Sequence, residues 1–184
     1  MTMHILSRQA GLTLIELLVT MSVMVILAAV AVPNFQEHLR DNRGITQINE
    51  LVTAMNLARS EATKGNGTVA FCPSADSATC SGGSFDTGWI VFINADGDTP
   101  PVVDGGETIL RTHAGTMGAD TSLRASGGIT AGVNFLASGR PAAFGDITYC
   151  DGRGAGHARS VVLNLVGGIT ASHKHGDGSA LTCP

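Results

Sequence analysis

Apolar positions crowd one stretch near the start of the chain and afterwards thin into short runs. From Leu12 to Val32, 21 consecutive positions are almost wholly hydrophobic. As a helix they span about 31 Å, close to the ~30 Å hydrocarbon core of a bilayer. Past Pro33, the residues Ile48, Leu51, Met55, Ala58 and Ala62 recur at intervals of three and four, with Gln47, Asn49, Glu50, Asn56, Arg59 and Glu61 between them. That period marks one apolar helix face. The pattern therefore predicts a helix over 12–64, membrane-spanning over 12–32 and amphipathic over 33–64. Bends are expected at Pro33 and Gly44, and a C-cap at Lys64-Gly65-Asn66-Gly67. From residue 65 to 184 the period changes. Thr68–Cys72, Gly88–Asn94, Glu107–Thr112, Ile129–Phe135, Asp146–Cys150 and Ser160–Val166 read as strands between glycine and aspartate turns, with two more at Thr121–Ala125 and Ile169–Ser172. No helical pattern intervenes, so the strands are expected to pair antiparallel, with the long helix on one face. The fold class is α+β, a long N-terminal membrane-spanning helix packed on a β-rich globular head.

Composition sharpens this division without adding a second core. Among 184 residues, 24 glycines favour turns and short strands, and only 14% of positions are charged. The net charge is −4, and the segment 65–184 carries six Lys/Arg against ten Asp/Glu, which excludes a globally basic nucleic-acid binder. All four cysteines, Cys72, Cys80, Cys150 and Cys183, fall in that segment, and none forms a C-x-x-C pair. They permit three connectivities. Cys72–Cys80 with Cys150–Cys183 is the expected one if the head is exported, the other two remaining open.

The residues ahead of the apolar stretch carry their own information. Met1–Gly11 is polar, contains Arg8 and ends in glycine directly before Leu12. A secretory signal is cut after its apolar region, whereas here the natural cut, between Gly11 and Leu12, precedes it and leaves the stretch in the mature chain. Residues 1–11 are thus read as a leader. Arg8 favours a cytoplasmic leader and an outward-facing head. Glu16 is the exception within the apolar run, since a carboxylate in a membrane helix costs roughly 2.5–3.5 kcal/mol. Cleavage would create an amine on Leu12 about one helical turn away, and in a bundle of such helices one copy's Glu16 could neutralise its neighbour's amine. Glu16, together with Thr13, is the candidate assembly position.

Gly11-Leu12-Thr13-Leu14-Ile15-Glu16-Leu17-Leu18 resembles the prepilin peptidase site of type IV pilins and type II secretion pseudopilins, with Leu12 where phenylalanine or methionine is commoner. Asn56-Leu57-Ala58-Arg59-Ser60-Glu61-Ala62 with Val69-x-x-Cys72, and Phe135-x-x-x-Gly139-Arg140-Pro141 with Cys150-Asp151-x-Arg153-Gly154 and Ala158-Arg159, resemble the GspH/FimT family of minor pilins and minor pseudopilins. The resemblance implies a pilin-like head of two small antiparallel sheets. It also implies processing and N-methylation by a prepilin peptidase, passage from the inner membrane into a pilus or pseudopilus beside other pilins, and a role in filament initiation at or near the tip. A minor pseudopilin of a type II secretion system and a DNA-binding pilin of natural transformation are the alternative functions.

Catalysis finds no foothold in these residues. His113, His157, His173 and His175 are scattered, no nucleophile elbow or phosphate loop occurs, and no cofactor is implied. Asn94-Ala95-Asp96-Gly97-Asp98 begins like a calcium loop, but Thr99 and Gly105 occupy the positions of its turn glycine and closing glutamate, so an Asx-rich turn is expected and no metal. His173-Lys174-His175 would set two imidazoles on one side of a strand, although a solvated tail is the plainer reading. For DNA, the candidates are Arg140, Arg153, Arg159, His173, Lys174 and His175, a locally basic stretch facing only Asp146 and Asp151. The Gly-Arg-x-Arg signature of DNA-binding relatives is missing, since the corresponding residues are Gly167-Gly168-Ile169-Thr170.

Overall fold

The computed structural model describes residue 11, residues 13–115, residue 118 and residues 120–183. Most of the leader and Leu12 therefore lie outside the described residues. The chain divides into two compact units, residues 1–40 and residues 41–184.

A single helix, α1 (Leu14–Gly65), contributes to both units and runs unbroken through Pro33 and Gly44. Its start is capped by Thr13, whose Oγ1 accepts from the Glu16 amide at 3.3 Å. Its end is turned by Asn66 at φ +49°, where the Gly67 amide donates to the Ala62 carbonyl at 3.2 Å. Asparagine is one of the few residues that tolerates this left-handed position. In the first unit, the apolar side chains of α1 are exposed along its length, from Leu14 to Leu39.

In the second unit, eight strands follow α1: β1 (Val69–Pro73), β2 (Gly88–Ile93), β3 (Ile109–Ala114), β4 (Ser122–Gly127), β5 (Val133–Phe135), β6 (Gly145–Cys150), β7 (Arg159–Leu163) and β8 (Ile169–Ser172). They form two four-stranded antiparallel sheets, ordered β3-β2-β1-β5 and β4-β6-β7-β8. Alternation sorts the second sheet, with Leu123, Ile147, Tyr149, Val161 and Leu163 inward and Ser126, Asp146, Thr148 and Ser160 on its other face. Those inward residues meet Phe71, Trp89, Val91 and Phe135 of the first sheet and Ile48, Leu51, Ala54, Met55, Ala58 and Ala62 of α1 in one core. Each large side chain buried there contributes about 1.5–3 kcal/mol. The continuous run Val69-Ala70-Phe71-Cys72 is explained by burial on both faces, because Ala70, Cys72, Ile90 and Phe92 form a second small core on the far side of the first sheet.

All eight expected strands occur, seven of them with shifted ends. The segment 129–135 yields only Val133–Phe135, because Gly132 at φ +124° sits against Phe71 and Pro101 where no side chain fits. β7 stops at Leu163, since Asn164 Oδ1 accepts from the Val166 and Gly168 amides and closes the turn into β8. Gly44 permits a close approach: a Cβ there would lie 3.0 Å from the Tyr149 ring.

Candidate functional site

Three sets of residues bear on function: the start of α1, the clamps that hold α1 to the sheets, and the basic residues of the C-terminal third. At the start, Thr13-x-x-Glu16 is the pattern of a capping box, with the threonine as N-cap and the glutamate three positions later. The amide of Leu17 also donates to the Thr13 carbonyl at 3.2 Å. Thr13 thus shapes the first turn that presents Glu16, a role the sequence motif itself signals. Glu16 is exposed and makes no ion pair among the described residues.

The clamps join α1 to both sheets. Arg59 donates from Nη1 to the Gly167 carbonyl at 2.8 Å. Gly139 and Gly167, at φ +76° and +85°, close around it. A Cβ on Gly139 would lie 3.4 Å from its Nε, and one on Gly167 only 2.6 Å from the Gly139 carbonyl. The segments around Arg59, Gly139 and Gly167 therefore meet at one point. Arg153 makes the second clamp, its Nη2 lying 2.8 Å from Asp41 Oδ1 on α1 and 2.7 Å from Asp151 Oδ2. Hydrogen bonds from Arg153 hold both carboxyls below the usual carboxylate range. Glu50 Oε2 of α1 also lies 3.0 Å from Nδ1 of His113 on β3, without the geometry of a hydrogen bond, and that imidazole is stacked on Trp89 with centroids 5.1 Å apart. None of these long-range pairs announces itself in sequence.

The six candidate DNA contacts are engaged in different ways. Arg153 is spent on its two aspartates, and His175 Nδ1 lies 2.8 Å from Asp146 Oδ2 on the outer face of the second sheet. Arg159 and His173 approach each other at 3.5 Å. Arg140 is turned to the Leu165 carbonyl at 3.4 Å, and Lys174 is exposed. The reading of two imidazoles on one strand fails, since β8 ends at Ser172 and the chain bends there, with Lys174 bridging to Ala180.

Cysteine pairing follows the expected connectivity, Cys72–Cys80 and Cys150–Cys183, with Cα separations of 5.7 and 5.8 Å. The aspartate-rich segment after β2 is a hydrogen-bonded loop. Asn94 Nδ2 donates to Asp98 Oδ1 at 2.9 Å and to Asn134 Oδ1 at 3.0 Å. Asp96, Asp104 and Glu107 bring carboxylate oxygens within 4.8 Å of one another, but Glu107 already accepts from the Ala95 amide.

Comparison with known proteins places these features. The model of the prokaryotic N-terminal methylation motif matches residues 6–32. The model of the GspH family, described as type II transport protein GspH, matches residues 47–167. Among solved structures, the type IV minor pilin FimU of Pseudomonas aeruginosa strain PAO1 is similar in two crystal forms. In one the TM-score is 0.54 at 19% identity, covering 75% of this chain and 92% of FimU. In the other it is 0.51 at 17% identity, covering 69% and 90%. At that identity the likeness speaks for the fold alone. No curated protein matches this chain in sequence. With an N-methylation motif leading into a long apolar helix, a disulfide-bonded head of two antiparallel sheets and a family match across most of that head, the chain belongs to the GspH family of minor pilin-type proteins.

Proposed function

We propose that the chain is a minor pilin, cut after Gly11 by a prepilin peptidase, methylated on Leu12, anchored in the inner membrane with its head outside the cytoplasm, and built into a type IV pilus where it contributes to initiation at or near the tip. The coincidence of the methylation motif with the helix that begins at Leu14 carries this reading. A helix apolar on every side is stable only in lipid or among its like, and a capped Glu16 near its start offers one charge for a neighbour's amine. Similarity to a minor pilin in fold supports the pilus assignment.

A minor pseudopilin of a type II secretion system is the second reading, favoured by the description of the matching family. DNA uptake is weakened, because Arg153 and His175 are already occupied by carboxylates.

The test is in cells. Gly11→Val should leave an uncut, membrane-retained precursor, whereas Glu16→Ala should be cut normally and enter filaments poorly. Incorporation of the glutamate variant at the parental level would refute the amine pairing. Finding the chain in secretion pseudopili and never in pili would favour the second reading.

A further inference from the structure

A strand at the margin of a sheet leaves backbone groups without a partner, and proteins blunt such margins with charges, bulges or covering segments. Three of the four margins in this head are treated in that way. β3 carries Arg111 and lies opposite a bulge between Val91 and Phe92. On β4, the Leu123 amide donates to Asp86 Oδ1 and the Leu123 carbonyl accepts from Ser84 Oγ, both in the turn that precedes β2. On β5, the Asn134 carbonyl accepts from the Ala142 amide at 2.7 Å, so the segment after β5 covers it. β8 has no such guard, for it contains no charge, proline or bulge. The Asn164 amide donates to the Gly168 carbonyl. From that pair onward, the alternation of an antiparallel ladder turns the backbone of Thr170 and Ser172 toward β7 and that of Ile169 and Ala171 away from it. The amides and carbonyls of Ile169 and Ala171 make no hydrogen bond among the described residues.

An edge in this state takes an extended strand, and what lies beside it selects the side chains of that strand. Between α1 and the end of β8 is a cavity of about 120 Å³, with Ile45, Ile48 and Ala171 as its apolar walls and Asn49, Ser172, Arg159 and His173 as its polar groups. Ile45 is 40% exposed. No carboxylate lines the cavity. Arg159 makes no ion pair among the described residues, and its Nη1 meets the His173 imidazole at 3.5 Å. Asp41, which feels the Arg159 charge, is held by Arg153. A strand suited to this edge therefore offers one apolar side chain and one carboxylate. None of the four edge strands of this chain carries an acidic residue, so a second copy does not meet that description.

The geometry points to β8 as a docking edge for an extended strand of a different filament subunit, which pairs with Ile169 and Ala171 and sets an apolar side chain against Ile45 and a carboxylate on Arg159. One edge admits one strand, so the contact is made once per copy and does not propagate, as suits a minor subunit. This rests on the filament-subunit reading and gives it a surface that joins unlike chains.

The test uses the full chain in cells that contain the prepilin peptidase and the other filament subunits. A photoreactive p-benzoyl-phenylalanine replaces Thr170, which is exposed on β8. Irradiation should join it to a different chain that is itself cut after a prepilin leader, through a peptide that carries an aspartate or glutamate, as read by mass spectrometry. Ala171→Pro removes one outward amide, a change that edge strands tolerate, and should abolish the adduct. Arg159→Glu should reduce the yield roughly tenfold, the effect of losing about 1.4 kcal/mol, and it keeps the test decisive if the proline variant does not fold. Yields are compared at equal amounts of disulfide-bonded protein. A cross-link between two copies, to lipid, to DNA or to a protein without such a leader, no adduct at all, or an adduct indifferent to Arg159→Glu would overturn the docking edge. The mass of the N-terminal peptide from the same sample separates the two failures: a chain cut after Gly11 with no such adduct loses only this contact, while an uncut chain loses the subunit reading as well.

Discussion

Arg153 illustrates how much of this head depends on single polar side chains. Its guanidinium is mostly buried and answers two carboxylates, of which Asp151 is the more buried. Arg153→Met should leave Asp151 uncompensated and cost roughly 3 kcal/mol, the scale for breaking a buried ion pair from one side; chemical denaturation of the detergent-solubilised chain measures it. The same pairing sets a pH dependence. Asp41 and Asp151 have folded pKa values below the ordinary carboxylate value, so the stability they confer is fully present above about pH 4 and is lost as the pH falls through those lowered values. Thermal unfolding should accordingly be flat near neutrality and fall off below about pH 4, with a shallower fall in Asp151→Asn. Residues out of keeping with their neighbours, Glu16 and the cysteines, were legible in the sequence. Arg153 stood out in the sequence within Cys150-Asp151-x-Arg153-Gly154, but its contact with Asp41 was not legible, since Asp41 stands more than a hundred positions earlier and nothing local reports that proximity.

Elements were legible where their period was long and undisturbed. The face Ile48, Leu51, Met55, Ala58, Ala62 of α1 is buried as its spacing predicts, and eight strands stand where apolar runs occur. Strand ends were not legible, because they are fixed by individual contacts such as Gly132 against Phe71 and the Asn164 turn. The junction of α1 with both sheets is likewise tertiary. Gly167→Ala would place a Cβ 2.6 Å from the Gly139 carbonyl at a left-handed backbone position, and should destabilise the head by about 1–3 kcal/mol, read as a lower denaturant midpoint. The C-terminal segment is tied to β6 by Cys150–Cys183 across 33 residues. Replacing both by serine should cost on the order of 3–4 kcal/mol on the loop-entropy model, more than the ~2.5 kcal/mol for Cys72 and Cys80 across 8 residues. The reverse order in the two double variants would show that the loop lengths do not govern.

At the scale of the whole molecule, the fold matters for what it leaves unfinished. The apolar residues of α1 from Leu14 to Val32 have no protein cover, while the head from residue 44 onward has a complete core of its own. Such a chain is consistent with a subunit that completes itself in lipid and then among other helices. The pattern of hydrophobicity alone conveyed that division, whereas membership of the GspH family rests on the matches at residues 6–32 and 47–167. The most direct measurement is intact mass spectrometry of the membrane-extracted protein. The account predicts a chain that begins at Leu12, carries one added methyl group and has lost four hydrogens to two disulfides. A product that begins after Val32, or one that retains Met1–Gly11 in cells containing the peptidase, would contradict it.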